Sequence, residues 1–338
     1  MKMWPDTPIE RKLKENFNQG RNELENTDHF IPSYDAVKSY MIQHIYPNIA
    51  KRKKEYDLTD HGESHIQDVL RKAFDILQHA YINPNDWRLS DLELYLLCMG
   101  ILVHDIGNLD DREDHELKIV NFFTSKQFPM LNEQVRRSTI RIARAHGGKG
   151  DTIEKLSSHR ELIGQEINST NVAALLRFAD ELAEGPQRTS SLMLEKALIS
   201  DSSILYHRYA QITRPPCLQA GSVIANYEIP LTKIVNDQSI KETRETLKPL
   251  LKFIFIRTHK LNRERIYCGL YSDCIHKITN VSVSITFFED QDSIDEIDLP
   301  AELTNFRLTN LDCNDYPESP KQDPIVEILD KLFPQEHP

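Results

Sequence analysis

Four stretches of this sequence end in, or enclose, side chains of metal-ligand type. His65 starts an amphipathic stretch, His104-Asp105 closes the apolar run Leu94 to Val103, His146 ends a second amphipathic stretch, and Asp180 lies inside an apolar one. Imidazole nitrogen combined with carboxylate oxygen suits a divalent cation (Mn, Ni, Co, Fe, Zn or Mg) better than a thiolate set would. A cation so held acidifies bound water towards neutrality and polarises a phosphoryl oxygen, so phosphate-ester hydrolysis is the chemistry expected. Asp105 and Asp180 strengthen the case, because a carboxylate in apolar surroundings needs a cationic or metal partner. No Ser or Cys stands in a nucleophile motif, and Gly147-Gly148-Lys149-Gly150 lacks the preceding strand and the spacing of a phosphate-binding loop.

Placing such residues together requires helices. Ile66, Val69, Leu70, Ala73, Phe74 and Leu77 follow the i, i+3, i+4, i+7 rule, so one stripe of that helix faces a core. Ser90 or Asp91 caps the next, Leu92 to Val103, which is apolar on nearly all sides and should be central. A helix containing Val135 and Ile142 breaks at Gly147-Gly148, and one spanning Val172 to Glu184 stops at Gly185-Pro186. The adjacent pair His104-Asp105 can serve one site only at a helix end, since successive mid-helix side chains diverge by about 100°.

After about residue 200 the texture changes. Ile204 to Thr213 and Ser222 to Ile229 read as strands flanking Pro215-Pro216, residues 237–264 as one long polar helix, and the alternation of Val281, Val283, Ile285 and Phe287 as a half-buried strand. Residues 313–324 read as a linker before a short helix at Ile325 to Leu332. The expected organisation is mainly α: a polar, loosely attached N-terminal arm (1–32), a helical domain (33–198), a smaller α+β domain (199–300), and a tail with a short helix (301–338).

The 338 residues suffice for one large domain or two moderate ones with real cores, and 39% apolar with 28% charged is ordinary for a globular chain. A net charge of −11 disfavours indiscriminate duplex binding while leaving room for a local basic groove. The five scattered cysteines, Cys98, Cys217, Cys268, Cys274 and Cys313, form no C-x-x-C pair and point to a reducing compartment. The N-terminus lacks the apolar core of a secretory signal, and Leu94 to Val103 is about half a membrane span. A cytoplasmic location without membrane contact is expected.

The runs DHGESHIQDVL (60–70), ILVHDIGN (101–108), IARAHGG (142–148) and ALLRFADELAEGPQR (174–188) resemble, in order and spacing, the HD-domain metal-dependent phosphohydrolase superfamily over residues 50–190. In texture they are similar to HD modules of bacterial conflict and antiviral defence systems and to polyphosphatase-like proteins. The resemblance implies an HD-type helical bundle in which His65, His104, Asp105 and Asp180 hold one metal. It matches His146, and His115 with it, to the extra histidines of members with a second metal. The implied activity is cleavage of a phosphoester in a nucleic acid or nucleotide by metal-activated water, as a nuclease or phosphodiesterase or as a nucleotide phosphohydrolase. The alternative is a nucleotide-sensing or assembly module that binds at this site without efficient turnover. Where cyclic-dinucleotide phosphodiesterases of the superfamily read HDIGK and carry a Gly-Tyr-Pro motif, this chain has Asn108 and no such motif.

His61, four residues before His65, could on a helix face the same metal (i, i+4); the family pattern H-I-x-x-V favours His65 as the ligand, which leaves His61 as a group behind the ligands or against the substrate, or else a residue of the loop entering the helix. For catalysis, His61, Asp110 or Asp111 would move the proton to the leaving oxygen, and Arg144 or Lys149 would offset charge on the equatorial oxygens. Arg137, Arg141 and Arg144 at i, i+4, i+7 form a guanidinium stripe leading to His146, and Arg177 and Arg188 flank Asp180, so Arg137, Arg141 and Arg188 are expected to bind substrate. Arg257, His259, Lys260, Arg263 and Arg265 read as a polar helix face. Homo-oligomer or protein contacts would use the 199–300 region.

Overall fold

A computed structural model describes residues 4–18, 27–56, 62–81, 83–110, 114–148, 150–189, 194, 199–201, 203–232, 240–290, 292–309 and 324–334. The chain forms two compact units, Met1–Ala183 with Tyr267–Lys277, and Glu184–Ile266 with Ile278–Pro338.

The first unit is helical: α1 (Pro8–Asn18), α2 (Phe30–Tyr40), α3 (Tyr46–Tyr56), α4 (Glu63–Ala80), α5 (Asp91–Val103), α6 (His115–Phe122), α7 (Glu133–Arg144), the hairpin β1 (Arg160–Leu162) and β2 (Gln165–Ile167), and α8 (Ser169–Leu182). As expected, α5 is the central element. Every residue from Leu92 to Val103 is buried, and a full capping box starts the helix, with Ser90 accepting from Glu93 N while Glu93 accepts from Ser90 N. Among the described residues one stretch, Asp91–Leu109, is apolar enough to pass for a membrane span, and 89% of its apolar window is buried inside the fold, as in an interior helix. α4 packs on α8, and α5 on both α7 and α8. Asn132 caps α7 by accepting from Gln134 N and Val135 N, and Asn168 caps α8 by accepting from Asn171 N.

The N-terminal residues correct the expectation of a loosely attached arm. α1 buries Ile9, Leu13 and Phe17, and with them Glu10. Composition misleads here because the charges of this segment are used inward: Glu10, fully buried, accepts from Lys38 Nζ at 2.8 Å, Tyr34 OH at 2.8 Å and Thr7 N at 2.7 Å. Lys38 also reaches Asp6 at 2.9 Å and lies over the Trp4 ring.

The second unit contains α9 (Ile204–Ile212), β3 (Cys217–Gln219), β4 (Ser222–Pro230) and α10 (Ile240–Gly269), whose last residues belong to the first unit, as does α11 (Asp273–His276). It continues with β5 (Asn280–Phe288), α12 (Ala301–Thr304), β6 (Asn305–Leu308) and α13 (Pro324–Leu332). The strands form one sheet in the order β3-β4-β5-β6, parallel between β4 and β5 and antiparallel at the flanks. Of residues 204–213, expected as a strand, Ile204–Ile212 are helical and only Thr213 is extended, bridging Tyr227. Their aromatic and β-branched content fits either state over so short a span, and packing decides: Tyr209 sets its ring edge-on to Phe253 at 5.0 Å and its hydroxyl against Tyr227 OH at 3.3 Å. The expected helix, the alternating strand and the short C-terminal helix are all present; residues 313–323 of the expected linker, 313–324, lie outside the described residues.

Candidate metal centre

Each candidate ligand sits where a helix starts or stops. His65 is in the first turn of α4, whose N-cap Gly62 is extended. His104 follows the last residue of α5, and Asp105 (φ −96°, ψ 5°) leaves the helical path, so the two neighbours turn to the same side. His115 opens α6, His146 follows α7, and Asp180 stands in the last turn of α8. A close approach fixes His115 beside this turn: a Cβ on Gly107 would lie 1.9 Å from the His115 carbonyl oxygen, a space only glycine leaves open.

The side chains converge. His65 Nε2 lies 3.0 Å from Asp180 Oδ1 and 3.7 Å from Asp105 Oδ2, while His104 Nε2 lies 3.4 Å from Asp105 Oδ2 and 3.7 Å from Asp180 Oδ1. The other oxygen of Asp105 faces a second pair: Oδ1 is 3.2 Å from His115 Nε2 and 3.9 Å from His146 Nε2, and those two nitrogens are 3.2 Å apart. Asp105 therefore divides the cluster into two groups that share its carboxylate. His65, His104, Asp105 and His146 are buried, and the Asp180 side chain keeps 29% exposure, which places the solvent side of the cluster at that residue.

Tautomers follow from the acceptors. His104 Nδ1 donates to Ile101 O at 2.9 Å and His146 Nδ1 to Ala143 O at 2.5 Å, and a carbonyl can only accept. His115 Nδ1 faces Glu116 Oε2 at 3.5 Å. In the neutral rings the proton is thereby held on Nδ1, leaving the Nε2 lone pairs aimed inward.

This donor set fits a divalent cation. Nitrogen and oxygen ligands bound at about 2.1 Å stand roughly 3.0–3.4 Å apart around one ion, close to the separations within the first group. His104 Nε2 is buried with no hydrogen-bond partner among the described residues, an arrangement that is costly unless something else uses its lone pair. Burial opposes charge on His104, but the carboxylates of Asp105 and Asp180 outweigh it and hold the imidazole well above its ordinary pKa. Burial likewise opposes charge on Asp180, and His104 and His65 overcome it, so that this carboxyl sits well below the usual range. His146 is pushed down to about 3 by burial and then by the His104 cation, so it is neutral.

The remaining sequence candidates fall elsewhere or outside view. His61, Asp111 and Lys149 lie outside the described residues. Asp110 is exposed and 3.5 Å from Lys118 Nζ. Arg137, Arg141 and Arg144 occupy the exposed face of α7, and Arg137 donates to Glu133 at 2.7 Å. Arg188, in the second unit, is buried 3.3 Å from Glu184, which also accepts from Arg257 at 2.6 Å. Two groups at the centre went unread in the sequence. Asn108 donates its amide to Asp105 Oδ1 at 2.9 Å, and Glu116, buried beside His115, orients that ring. Asn108 stands three residues after Asp105 in a tight turn, a spacing visible in the sequence, and Glu116 adjoins a candidate ligand.

The family model described as HD-CE matches residues 54–254, a span that takes in all six converging side chains. No curated protein and no solved structure matches the chain.

Proposed function

The chain belongs to the HD-CE family, and with an HD-type domain and this cluster of donors as premises we propose that it is a divalent-metal-dependent phosphohydrolase acting on a nucleic acid or nucleotide. The observation that carries the reading is the convergence of inward-facing Nε2 atoms on the two oxygens of Asp105. In this reading His65, His104, Asp105 and Asp180 would hold one cation, and Asp105, His115 and His146 would hold a second. When bound, such cations acidify water and polarise the phosphoryl group. The protein's own contribution is to fix donor positions and to exclude competing solvent. The backbone carbonyls of Ile101 and Ala143 and the Glu116 carboxylate keep the rings from rotating, and Asn108 keeps the shared carboxylate in one orientation. Arg144, exposed two residues before His146, supplies positive charge to an approaching phosphate, and the exposed Asp110 is the described group that can pass a proton to the leaving oxygen. In this reading the activity would serve cellular defence, a role suggested only by the resemblance to HD modules of conflict systems.

Hydrolysis of bis-p-nitrophenyl phosphate with Mn, Ni, Co and Mg tests the proposal. Activity should depend on the cation and vanish in His104→Ala/Asp105→Ala. Turnover indifferent to that double change removes the site. Single-stranded DNA, RNA and nucleotide pools then separate polymer from small-molecule substrates, and tight cation binding with no hydrolysis of any of them would return the chain as a sensing or assembly module.

A further inference from the structure

The loop that follows His146 is held from a part of the chain that lies beyond the family match. Gly148 (φ +90°) and Gly150 (φ +79°) turn the chain back on itself, and three consecutive residues after them are tethered. The Asp151 carboxylate accepts from Tyr267 OH at 2.6 Å and from Tyr271 OH at 2.5 Å. Thr152 donates its hydroxyl to Ala145 O at 3.0 Å, the carbonyl of the very peptide that joins His146 to its helix. Ile153 N donates to Tyr267 OH at 3.1 Å. Arg177 closes the set: its guanidinium donates to Thr152 Oγ1 at 3.2 Å and lies over the Tyr267 ring at 4.7 Å from the centroid. Arg177 stands three residues before Asp180 on α8, so one network joins the helix ends that present His146 and Asp180. The same loop packs on the orienting group of His115, since a Cβ on Gly148 would meet Glu116 Oε1 at 3.2 Å and Thr152 Cγ2 at 3.3 Å.

We propose that Tyr267, Tyr271, Asp151 and Arg177 form a clasp of positioning residues that sets His146, and through it the occupancy of the second cation position. The inference rests on the two-cation reading of the centre. Its physical basis is the short range of coordination: a nitrogen displaced by a few tenths of an ångström loses much of its bond to the ion, and groups that only orient ligands change metal affinity by about 10–100-fold. Of the first position's ligands, His65, His104 and Asp105 have no part in the clasp, and Asp180 meets it only through Arg177, whose bond to Thr152 survives loss of the tyrosine hydroxyls, so the first position should keep its affinity when those hydroxyls are removed. The HD-type site therefore needs residues after 254, supplied when the chain re-enters the first unit at Tyr267–Lys277.

The test is Mn²⁺ titration of the full chain, followed by electron paramagnetic resonance and elemental analysis, in wild type and in Tyr267→Phe/Tyr271→Phe. The wild type should take a first and then a second ion, with the exchange-coupled spectrum of two Mn²⁺ sharing a carboxylate. In the variant the second affinity should fall by about 10–100-fold, the coupled signal should vanish at concentrations that saturate wild type, and the first affinity should hold. Unchanged filling of both positions overturns the clasp, and so does equal weakening of both, which would mark a merely structural role. A wild type that never takes a second ion overturns the two-cation reading itself, and with it the clasp, and that result is seen without any variant. Tyr271→Phe alone, which deletes one hydroxyl from a half-buried ring, serves if the double variant does not fold: it should weaken the second position selectively.

Discussion

Cation binding near neutral pH should expel a proton, and its source is His104. In the metal-free centre the Nε2 of this imidazole lies 3.4 Å from Asp105 Oδ2 and 3.7 Å from Asp180 Oδ1, and those carboxylates hold the ring charged against the burial that opposes it. A cation needs the lone pair the proton occupies, so the proton must leave. His146, at about 3, is already neutral and releases none. The sign follows from an upward shift: below the raised pKa of His104 each unit of added pH strengthens apparent affinity about tenfold, or about 1.4 kcal/mol, and above it the dependence flattens. Because the shift is upward, that break lies above the ordinary histidine value of 6.5. Isothermal titration of Mn²⁺ at constant pH, in buffers of unlike ionisation enthalpy, counts the protons directly and should return about one per first ion at neutral pH. Asp180→Asn removes one of the stabilising carboxylates, so the count should drop and the break move to lower pH. A wild-type affinity flat from about pH 6 to 8, with no buffer-dependent heat, would refute the electrostatic account of His104.

Three further outcomes follow from other contacts. Lys38→Met leaves the fully buried Glu10 without its cation, which should cost about 3–5 kcal/mol in urea unfolding; a loss under 1 kcal/mol would mean that the N-terminal network is slack. Gly107→Ala drives a methyl to within 1.9 Å of the His115 carbonyl, so α6 must shift. That should destabilise the fold by about 1–3 kcal/mol or more and weaken the second cation position while sparing the first, read by the same Mn²⁺ titration. Stripping cations with a chelator should lower the thermal midpoint, and restoring Mn²⁺ at about 100 times its dissociation constant should return about 2.7 kcal/mol of stability; a midpoint indifferent to both treatments would deny that the folded chain binds the ion.

The converging cluster was legible because each member combines a polar type with an apolar frame. An aspartate just past the ten-residue apolar run Leu94 to Val103 has no inexpensive explanation except a cation, and period-3.6 patterns placed His65, His146 and Asp180 at helix ends or facing inward. What the pattern hid are features that composition alone describes wrongly. Glu10 looks like a surface residue of a polar arm and Lys38 like one on the face of a helix, yet both are buried because they face each other. Residues 204–212 carry strand-like side chains, yet Tyr209 packs as a helical residue. The clasp was invisible for a different reason: Tyr267 and Asp151 are 116 positions apart, and no period or motif links residues whose only relation is contact.

The position of the chemistry at helix ends has a cause in the backbone. A buried helix such as α5 satisfies its polar groups internally except at its two ends, where the first N–H groups and the last carbonyls need partners; the capping box serves the first end of α5, and the last turn needs donors. Here the partners double as alignment: Ile101 O takes the His104 Nδ1 proton, and Leu102 O takes the hydroxyl of the fully buried Tyr46 at 2.9 Å. The loose end of the helix is thereby fixed by the same bonds that direct His104 Nε2 and free Asp105 to turn beside it. α7 repeats the device with Ala143 O and His146 Nδ1. Helix termination thus carries out both tasks at once, capping the backbone and setting the imidazole tautomer. A ligand moved one turn inward would lose the accepting carbonyl that makes its lone pair available to a cation, even if its side chain still reached the site.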